Sequence, residues 1–340
     1  MPCRSAVKEM RGKRLLTLCL CLVLMAGMMP WAGGTVEAAA EDWDTYTASV
    51  WDNAVAEFES YGLKGWTVTD DSIPKWSGEK SNLPASDENG TPETNPMVMP
   101  AAVNNVYDVY YPEQLRYAME AVGASAKSSG GVNIKSDMDL NGLDTDGVNP
   151  IEAKKWAAII LGTGTDINGE GHTIYNLNAT NATGQSNYAG FIGYSSYRTY
   201  VSDLHFVSAK INGGNSSALF GLFSTSAAYA GKISNCSLER ALIDVNGLAG
   251  GLAAGTSSSQ GTVNIDKSHT KNVYIKGGGC IGNLSGPSNG TISNSYAIDG
   301  IVIGAGDAGG FKSCSAGSTL KNCFSNISMY GGNAVGAFTG

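Results

Sequence analysis

A short apolar segment with a polar residue at its third position recurs along the second half of the chain. Six matches begin at residues 174, 201, 233, 265, 292 and 320, so their spacings are 27, 32, 32, 27 and 28 residues. Their sequences are IYNL, VSDL, ISNC, IDKS, ISNS and LKNC. A sustained period of this length is typical of repeat folds, in which each repeat is one structural unit.

A glycine-rich marker with one apolar position lies between these segments. That position is held in turn by Phe191, Leu222, Leu252, Cys280, Phe311 and Phe338. The units lack helical periodicity, so each one is predicted to contain two or three short strands joined by glycine corners. Successive units would pair in parallel about 4.8 Å apart, which predicts an all-β solenoid with an apolar interior over residues 133–340.

The third position of the segment predicts a polar ladder along one corner. Its residues are Asn176, Asp203, Asn235, Lys267, Asn294 and Asn322. Asn tolerates the left-handed conformation that a tight corner needs, and its amide forms hydrogen bonds to neighbouring groups. We therefore expect an asparagine ladder that Asp203 and Lys267 interrupt.

The N-terminus has the pattern of a secretory signal peptide over residues 1–40. Five basic residues between 4 and 14 precede an apolar run at 15–29, and three alanines at 38–40 form a cleavage site. The predicted mature chain is exported, and no other apolar run is long enough for an integral membrane segment.

The charge of the mature chain excludes two classes of partner. Removing residues 1–40 takes away five basic and two acidic residues from totals of 22 and 30, which leaves a net charge of about −11. A chain this acidic has no electrostatic reason to bind nucleic acid or an anionic membrane.

Four cysteines remain after removal of the signal peptide. Cys236 and Cys323 share one inward position three layers apart, or about 14 Å, which exceeds the reach of a disulfide. Cys280 and Cys314 occupy other positions of the unit, and the spacings match no metal motif. We predict four unpaired and mostly buried thiols.

Two helices are predicted before the repeats. Residues 41–110 contain a helix at 44–61 and an irregular polar lead-in. Residues 111–132 contain a second helix that begins at Pro112, and its apolar stripe is predicted to cap the first layer. The stripe comprises Leu115, Ala118, Met119 and Val122, and the following strand directs Ile134, Met138 and Leu140 inward.

From about Tyr111 to the end, the order of motifs resembles the GLUG-motif family of bacterial surface proteins. The motifs are PEQLRYAM, IKSDMDLNG, WAAIILGTGTDINGEGHTIYNLN, YAGFIGYSS and the repeated ISNC and ISNS. The resemblance implies a right-handed parallel β-helix of the kind found in exported adhesin-like proteins and as an accessory region of some immunoglobulin-A-cleaving metalloproteases. It implies no catalytic residues.

Glu170 and His172 are candidates for an acid/base pair because they lie two residues apart between glycines. Neither residue has a counterpart in the later units. We interpret them as part of a solvated corner.

Asp139, Asn141, Asp144 and Asp146 offer oxygen ligands for calcium, but they lack the ligand rhythm and the late bidentate glutamate of a calcium loop. We predict a solvated turn after a strand, and no cofactor or metal site.

Tyr194, Tyr197 and Tyr200 suit either sugar binding or coverage of a seam between a loop and a coil, and coverage is favoured. Among the acidic residues no catalytic cluster is predicted, because Asp203, Asp244, Asp266, Asp299 and Asp307 occupy different positions in their units.

The sequence therefore predicts a non-catalytic, exported cell-surface protein, an adhesin-like stalk or binding module. Its ligand would be a protein or glycan of a host, matrix or neighbouring cell. A carbohydrate-active β-helix enzyme and an accessory repeat region of a larger surface metalloprotease are the alternatives. Because VGAFTG ends within a marker, the repeat array is predicted to be truncated at its C-terminus.

Overall fold

The structure is a computed structural model that describes residues 43–124, 130–141, 154–182, 188–214, 216–223, 230–255, 262–314 and 317–340. The predicted signal peptide lies outside these ranges. Contacts divide the chain into two compact units, Met1–Thr45 and Tyr46–Gly340. Only residues 43–45 of the first unit are described, at the start of a helix, and the fold below is that of the second unit.

Within the described ranges the chain forms two helices and 25 strands, and it is mostly β, as predicted. The helices are α1 (Trp43–Glu59) and α2 (Pro112–Ala124). Neither helix is long and apolar enough to cross a lipid bilayer.

The strands form four sheets in which every neighbouring pair is parallel. Sheet 1 contains β1 (Val106–Val109), β2 (Gly130–Ile134), β6 (Thr165–Asn168), β10 (Thr199–Ser202), β14 (Gly231–Ser234), β17 (Val263–Asp266), β20 (Gly290–Ser293) and β23 (Ser318–Lys321). Sheet 2 contains β3 (Met138–Asp139), β4 (Trp156–Ala157), β7 (Thr173–Thr180), β11 (His205–Gly213), β15 (Ser237–Val245), β18 (His269–Gly277), β21 (Tyr296–Gly304) and β24 (Phe324–Gly331). Sheet 3 contains β8 (Tyr188–Ala189), β12 (Ser216–Ser217), β16 (Leu248–Gly250), β19 (Ile281–Gly282), β22 (Ala308–Gly309) and β25 (Val335–Gly336). Sheet 4 contains β5 (Ile159–Leu161), β9 (Ile192–Ser195) and β13 (Leu222–Phe223).

The chain visits the sheets in a fixed order. It runs through β14, β15 and β16 in sheets 1, 2 and 3, and then through β17, β18 and β19 in the same sheets. We call one such circuit of the sheets a pass. Each strand pairs with the equivalent strand of the preceding pass, so residues one repeat apart are neighbours in space.

The register confirms the predicted repeat from its second match onward. Val201, Ile233, Ile265, Ile292 and Leu320 are successive Cα partners in sheet 1, and the first four are buried. The predicted alignment of the remaining match, at Ile174, is wrong.

Ile167, rather than Ile174, is the partner of Val201, and Ile174 pairs with Phe206 in sheet 2. The IYNL match thus lies in sheet 2, seven residues after the true counterpart of Val201. The corner that precedes it is also longer than its equivalent in the next pass. Five residue steps join Asn168 to Thr173, whereas three steps join their partners in the next pass. Glu170 and Gly171 absorb the two extra residues, with φ of +50° and +83°.

The polar ladder is confirmed in part. Its residues all have φ between +50° and +53°, and they are Asp203, Asn235, Lys267, Asn294 and Asn322. Asn235 donates to Asp203 (2.7 Å) and Asn322 donates to Asn294 (3.1 Å), so Asp203 extends the ladder as an acceptor rather than interrupting it. At Lys267 the ladder is interrupted, because Asn294 donates to Asp266 instead. Asn176 is not a member, since it lies in sheet 2.

The interior is one continuous apolar core. Its early passes contain a run of aromatic rings with neighbouring centroids 5.2–5.9 Å apart: Trp76, Trp156, Phe191, Phe206 and Phe220. The predicted stripe of α2 is confirmed, because Leu115, Ala118, Met119 and Val122 are all buried in this core. The inward positions predicted for Ile134, Met138 and Leu140 are confirmed as well.

Sheet 2 bends along a row of residues in the left-handed conformation. Asn176, Ser208, Arg240, Asn272 and Asp299 hold φ between +52° and +60° in five successive strands. The row divides the outer face of the sheet into two parts, one on each side of the bend.

Helix α1 covers the part of the outer face that follows the bend. Trp51, Ala54 and Phe58 are buried there with Tyr274 and Ile303 in a second apolar cluster. The contacts span several passes, because the ring of Tyr46 packs against Tyr330 of β24, whereas Lys210 of β11 lies 5.4 Å from the ring of Phe58.

The lead-in after α1 continues along sheet 2 to its first strands. The backbone of Thr67 exchanges two hydrogen bonds with the Asn176 side chain (2.7 and 2.8 Å), and Thr69 donates to Asp139 (2.8 Å). The segment predicted to be an irregular lead-in is thus hydrogen-bonded to the outer face. We call residues 43–76 the strap.

Truncation of Phe58 tests how strongly the strap is held. The ring is fully buried, so Phe58→Ala is expected to lower the free energy of unfolding by about 3–5 kcal/mol. Phe324→Ala is the matched control, because that ring is 59% exposed and its loss should change stability by about 0.5 kcal/mol or less. Equal effects in denaturant titrations would show that α1 is not packed as described.

The later passes bury one lysine in the core. Lys312 is fully buried, and its Nζ contacts the carbonyl oxygen of Ser313 at 3.5 Å. Burial lowers the pKa of Lys312 to about 8. The Ser313 hydroxyl beside it is also buried, without a hydrogen-bond partner in the described residues.

Replacement of Lys312 is expected to stabilise the protein near neutral pH. Below pH 8 the buried amine must carry a proton, at a cost of about 3 kcal/mol relative to the unfolded chain, and Lys312→Met removes this cost. Because the unfolded chain binds more protons between pH 8 and 10.5, wild-type stability rises there and the advantage of the variant shrinks. Denaturant titrations at pH 7 and pH 10 measure both effects. Lys232→Met on the exposed face of sheet 1 should show neither.

Candidate functional site

One row of side chains crosses the outer face of sheet 2 before the bend. Its members are the first residues of five successive strands, paired in register: His205, Ser237, His269, Tyr296 and Phe324. Each one follows an inward residue of the repeat, so strand alternation directs it outward. At about 4.8 Å per strand the row is about 19 Å long. We call it the imidazole–aromatic row.

Aromatic rings form one half of this row. His269 stacks on Tyr296 with ring centroids 4.5 Å apart and planes 10° apart. Tyr296 is 37% exposed and Phe324 is 59% exposed. We call these three rings, of which Tyr296 and Phe324 are exposed, the platform.

Charged groups flank the platform in the adjacent row. Glu239 and Lys271 are register partners there, and Glu239 Oε1 lies 3.4 Å from His269 Nε2. Burial lowers the pKa of His269, and the contact with Glu239 partly opposes this effect. Burial also raises the pKa of Tyr296, so the phenol remains protonated at neutral pH and can donate a hydrogen bond.

His205 and Ser237 form the other half of the row. The Nδ1 atom of His205 lies 3.0 Å from the Ser237 hydroxyl. Ser237 is only 3% exposed, and Glu239 contacts His269 rather than His205. The pair therefore lacks the accessible nucleophile and the orienting carboxylate of a catalytic triad.

Two adjoining clefts lie beside α2. Their volumes are about 420 and 260 Å³, and they share Arg116 and Glu120. The Arg116 guanidinium donates to Glu120 (2.6 Å) and to the Ala157 carbonyl, and it lies 5.0 Å from the Trp156 ring. These contacts give Arg116 a structural role in holding α2 to the core.

Glu170 and His172 are directed to different partners. Glu170 accepts from Lys135 (2.6 Å) and raises the pKa of that lysine, whereas His172 Nδ1 lies 3.1 Å from Asp137. Glu170 is exposed and His172 partly so, in a turn between β6 and β7. The predicted solvated corner is confirmed. Its contacts with Lys135 and Asp137 join it to the preceding pass.

The predicted solvated turn is wrong for Asp139 and Asn141, which are both buried. Asp139 accepts hydrogen bonds from the backbone N–H of Asn141 and from the side chains of Thr69 and Asn176, so its Oδ2 joins the strap to β7. Asp144 and Asp146 lie outside the described residues.

The predicted tyrosine cluster is divided between different surroundings. Tyr194 stacks on Tyr188 with centroids 5.3 Å apart. Tyr200 belongs to the outer face of sheet 1, where the Arg198 guanidinium lies 4.6 Å from its ring. Tyr197 is 41% exposed.

The acidic residues considered for catalysis also lie apart in register. Asp203 and Asp299 belong to the two left-handed rows described above, whereas Asp266 and Asp244 face outward from sheets 1 and 2. Asp307 lies at a corner of sheet 3.

The prediction of four free thiols is wrong for two of them. Cys236 and Cys323 are free, and burial raises the pKa of Cys236 to about 12. Cys280 and Cys314 form a disulfide, with Cα atoms 5.9 Å apart. The two cysteines hold different positions in the repeat, but they meet in space. The chain at Cys314, where φ is +40°, returns to the corner that Cys280 occupies.

The imidazole–aromatic row was not predicted, although the repeat carries its signal. Its members directly follow Leu204, Cys236, Ser268, Ser295 and Cys323, which share one position of the repeat. The residue types in the row differ, so similarity alone does not single the position out.

In comparisons with known proteins, no family model, curated protein or solved structure matches this chain. The resemblance to the GLUG-motif family therefore stays a prediction.

The contact between Glu239 and His269 has a testable effect on the pKa of His269. Glu239→Gln removes the group that stabilises the protonated imidazole, so the pKa of His269 should fall further below 6.5. Titration of the imidazole resonances by NMR measures the change. Glu170→Gln, which alters the partner of Lys135, should leave His269 unaffected. An unchanged His269 in the first variant would contradict the contact.

Proposed function

We propose that this chain is a right-handed parallel β-helix and serves as a non-catalytic, exported, adhesin-like surface protein. The order in which the chain visits sheets 1, 2 and 3 supports the β-helix, because each pass pairs in parallel with the one before. The predicted signal peptide supports export.

The observation that carries the binding function is the imidazole–aromatic row. An exposed row of rings on a regular sheet is a rigid surface, and exposed apolar groups beside polar ones are typical of binding sites. A row about 19 Å long suits an extended ligand rather than a compact one.

The chemistry of the row favours a neutral glycan. Sugar rings have apolar faces that pack on aromatic side chains, here Tyr296 and Phe324, and hydroxyl groups that hydrogen-bond to Glu239, Lys271 and the Tyr296 phenol. The predicted net charge of about −11 disfavours polyanionic chains.

A non-catalytic role is supported by the arrangement of four of the aspartates considered for catalysis. Glycoside hydrolysis needs two carboxyl groups within about 5–9.5 Å across the bond that is cleaved. Asp203, Asp244, Asp266 and Asp299 hold different register positions, so successive passes do not stack them into such a pair.

Binding to neutral polysaccharides tests the proposal. Calorimetric titration of the mature protein with neutral oligosaccharides, chosen from a glycan array, should show binding that Tyr296→Ala and Phe324→Ala each weaken by about tenfold. Tyr200→Ala is the matched control, because that tyrosine is also 37% exposed but lies on sheet 1.

Three outcomes would contradict the proposal. Equal losses in the Tyr200 variant would place binding elsewhere on the protein. Binding of a protein ligand in the absence of any glycan binding would identify the wrong class of partner. Release of shortened oligosaccharides would indicate an enzyme.

A further inference from the structure

Three metal-ligating side chains meet at one corner of sheet 3. Cys280 and Asp307 directly precede β19 and β22, whose residues Ile281 and Ala308 are register partners. Cys314 joins them from the following loop. One ligand atom from each residue lies within 4.8 Å of the others, and all three residues are partly exposed.

The disulfide does not account for the carboxylate in this group. Asp307 Oδ2 lies 3.0 Å from Cys314 Sγ and 4.0 Å from Cys280 Sγ. A disulfide sulfur carries no hydrogen to donate, so neither contact is a hydrogen bond in the oxidised form. Within the described residues no lysine, arginine or histidine forms a salt bridge with Asp307. A carboxyl group is thus held against two sulfurs, and no basic side chain of the described residues pairs with it.

We propose that Cys280, Asp307 and Cys314 form a redox-controlled site for a thiophilic divalent cation of the zinc class. The disulfide is the closed state of this site. The inference is independent of the glycan-binding row, which lies on sheet 2.

Opening the site requires a reductant of the dithiol class. The dithiol transfers two electrons and two protons to the Cys280–Cys314 bond, which breaks to give two thiols, and the dithiol becomes a disulfide. The cation then binds both sulfurs and the Asp307 carboxylate, and the two thiol protons pass to solvent. A water molecule completes four-coordination.

The geometry suits this set of ligands. Zinc binds sulfur at about 2.3 Å and carboxylate oxygen at about 2.0–2.2 Å, so tetrahedral coordination places the two sulfurs about 3.8 Å apart. Cα atoms 5.9 Å apart permit this separation by rotation of the side chains. Two thiolates favour zinc over magnesium or calcium, which prefer oxygen ligands.

Cobalt(II) is the probe for the site, because its absorption spectrum reports thiolate coordination. The mature chain, residues 41–340, is reduced with dithiothreitol, freed of reductant without oxygen, and titrated with cobalt(II). One equivalent should bind with a thiolate-to-cobalt charge-transfer band, which zinc then abolishes. The oxidised chain should give no band.

Variants separate the three ligands from the other thiols. Asp307→Asn should weaken cobalt binding at least about tenfold. Loss of a residue that only hydrogen-bonds to a metal ligand already weakens binding by about this factor, and Asp307 is proposed as a direct ligand. A Cys236→Ser/Cys323→Ser double variant keeps Cys280 and Cys314 and should retain the full band. Cys280→Ser should lose it.

The proposal is overturned if the reduced chain gives no thiolate band, if the band disappears in the Cys236→Ser/Cys323→Ser variant, or if Asp307→Asn binds with wild-type affinity.

A second measurement avoids chemical reduction of the folded protein, which would be uninformative if it unfolded the corner. The mature chain, residues 41–340, produced in a reducing cytoplasm with added zinc should contain one zinc per chain by native mass spectrometry. The absence of zinc there, with the fold intact by circular dichroism, also overturns the proposal.

Discussion

Parallel hydrogen bonding between equivalent strands of successive passes determines where the side chains of the four sheets lie. Once Val201 is paired with Ile233, their neighbours must also stack one repeat apart. The apolar residues then form a continuous core, and the outward residues form rows. The left-handed corners, the bend in sheet 2 and the imidazole–aromatic row all follow from that register.

The same pairing explains how functional chemistry can arise without a local motif. His205, Ser237 and His269 are 32 residues apart in sequence, and no local pattern connects them. The register places them side by side, at about 4.8 Å per strand. The corner of sheet 3 works in the same way, since it brings Asp307 beside Cys280.

Sequence reasoning predicted what depends on the repeat and missed what depends on exceptions to it. The stack from Val201 onward and the core face of α2 followed from periodicity. The position of Ile174 was wrong because IYNL, a segment of β7 in sheet 2, shares the pattern of the sheet 1 segments, whereas their true counterpart, Ile167, lies seven residues earlier. The Cys280–Cys314 disulfide was missed because it depends on one loop conformation.

The helix of the strap was predicted at 44–61, but its docking on sheet 2 was not, since the contacts join residues far apart in sequence. This docking is expected to change how the sheets unfold. In a simple solenoid each repeat touches only its neighbours, so the ends fray independently and stability is a sum of local terms. Here one helix packs against both β11 and β24. Loss of the β24 pass therefore removes a contact that supports α1. The passes that α1 covers, such as that of β11, are weakened in turn, although they do not pair with β24. We therefore expect unfolding of these sheets to be more cooperative with the strap in place than without it. Because Tyr46 must meet Tyr330, its docking is expected to follow assembly of the coils it covers.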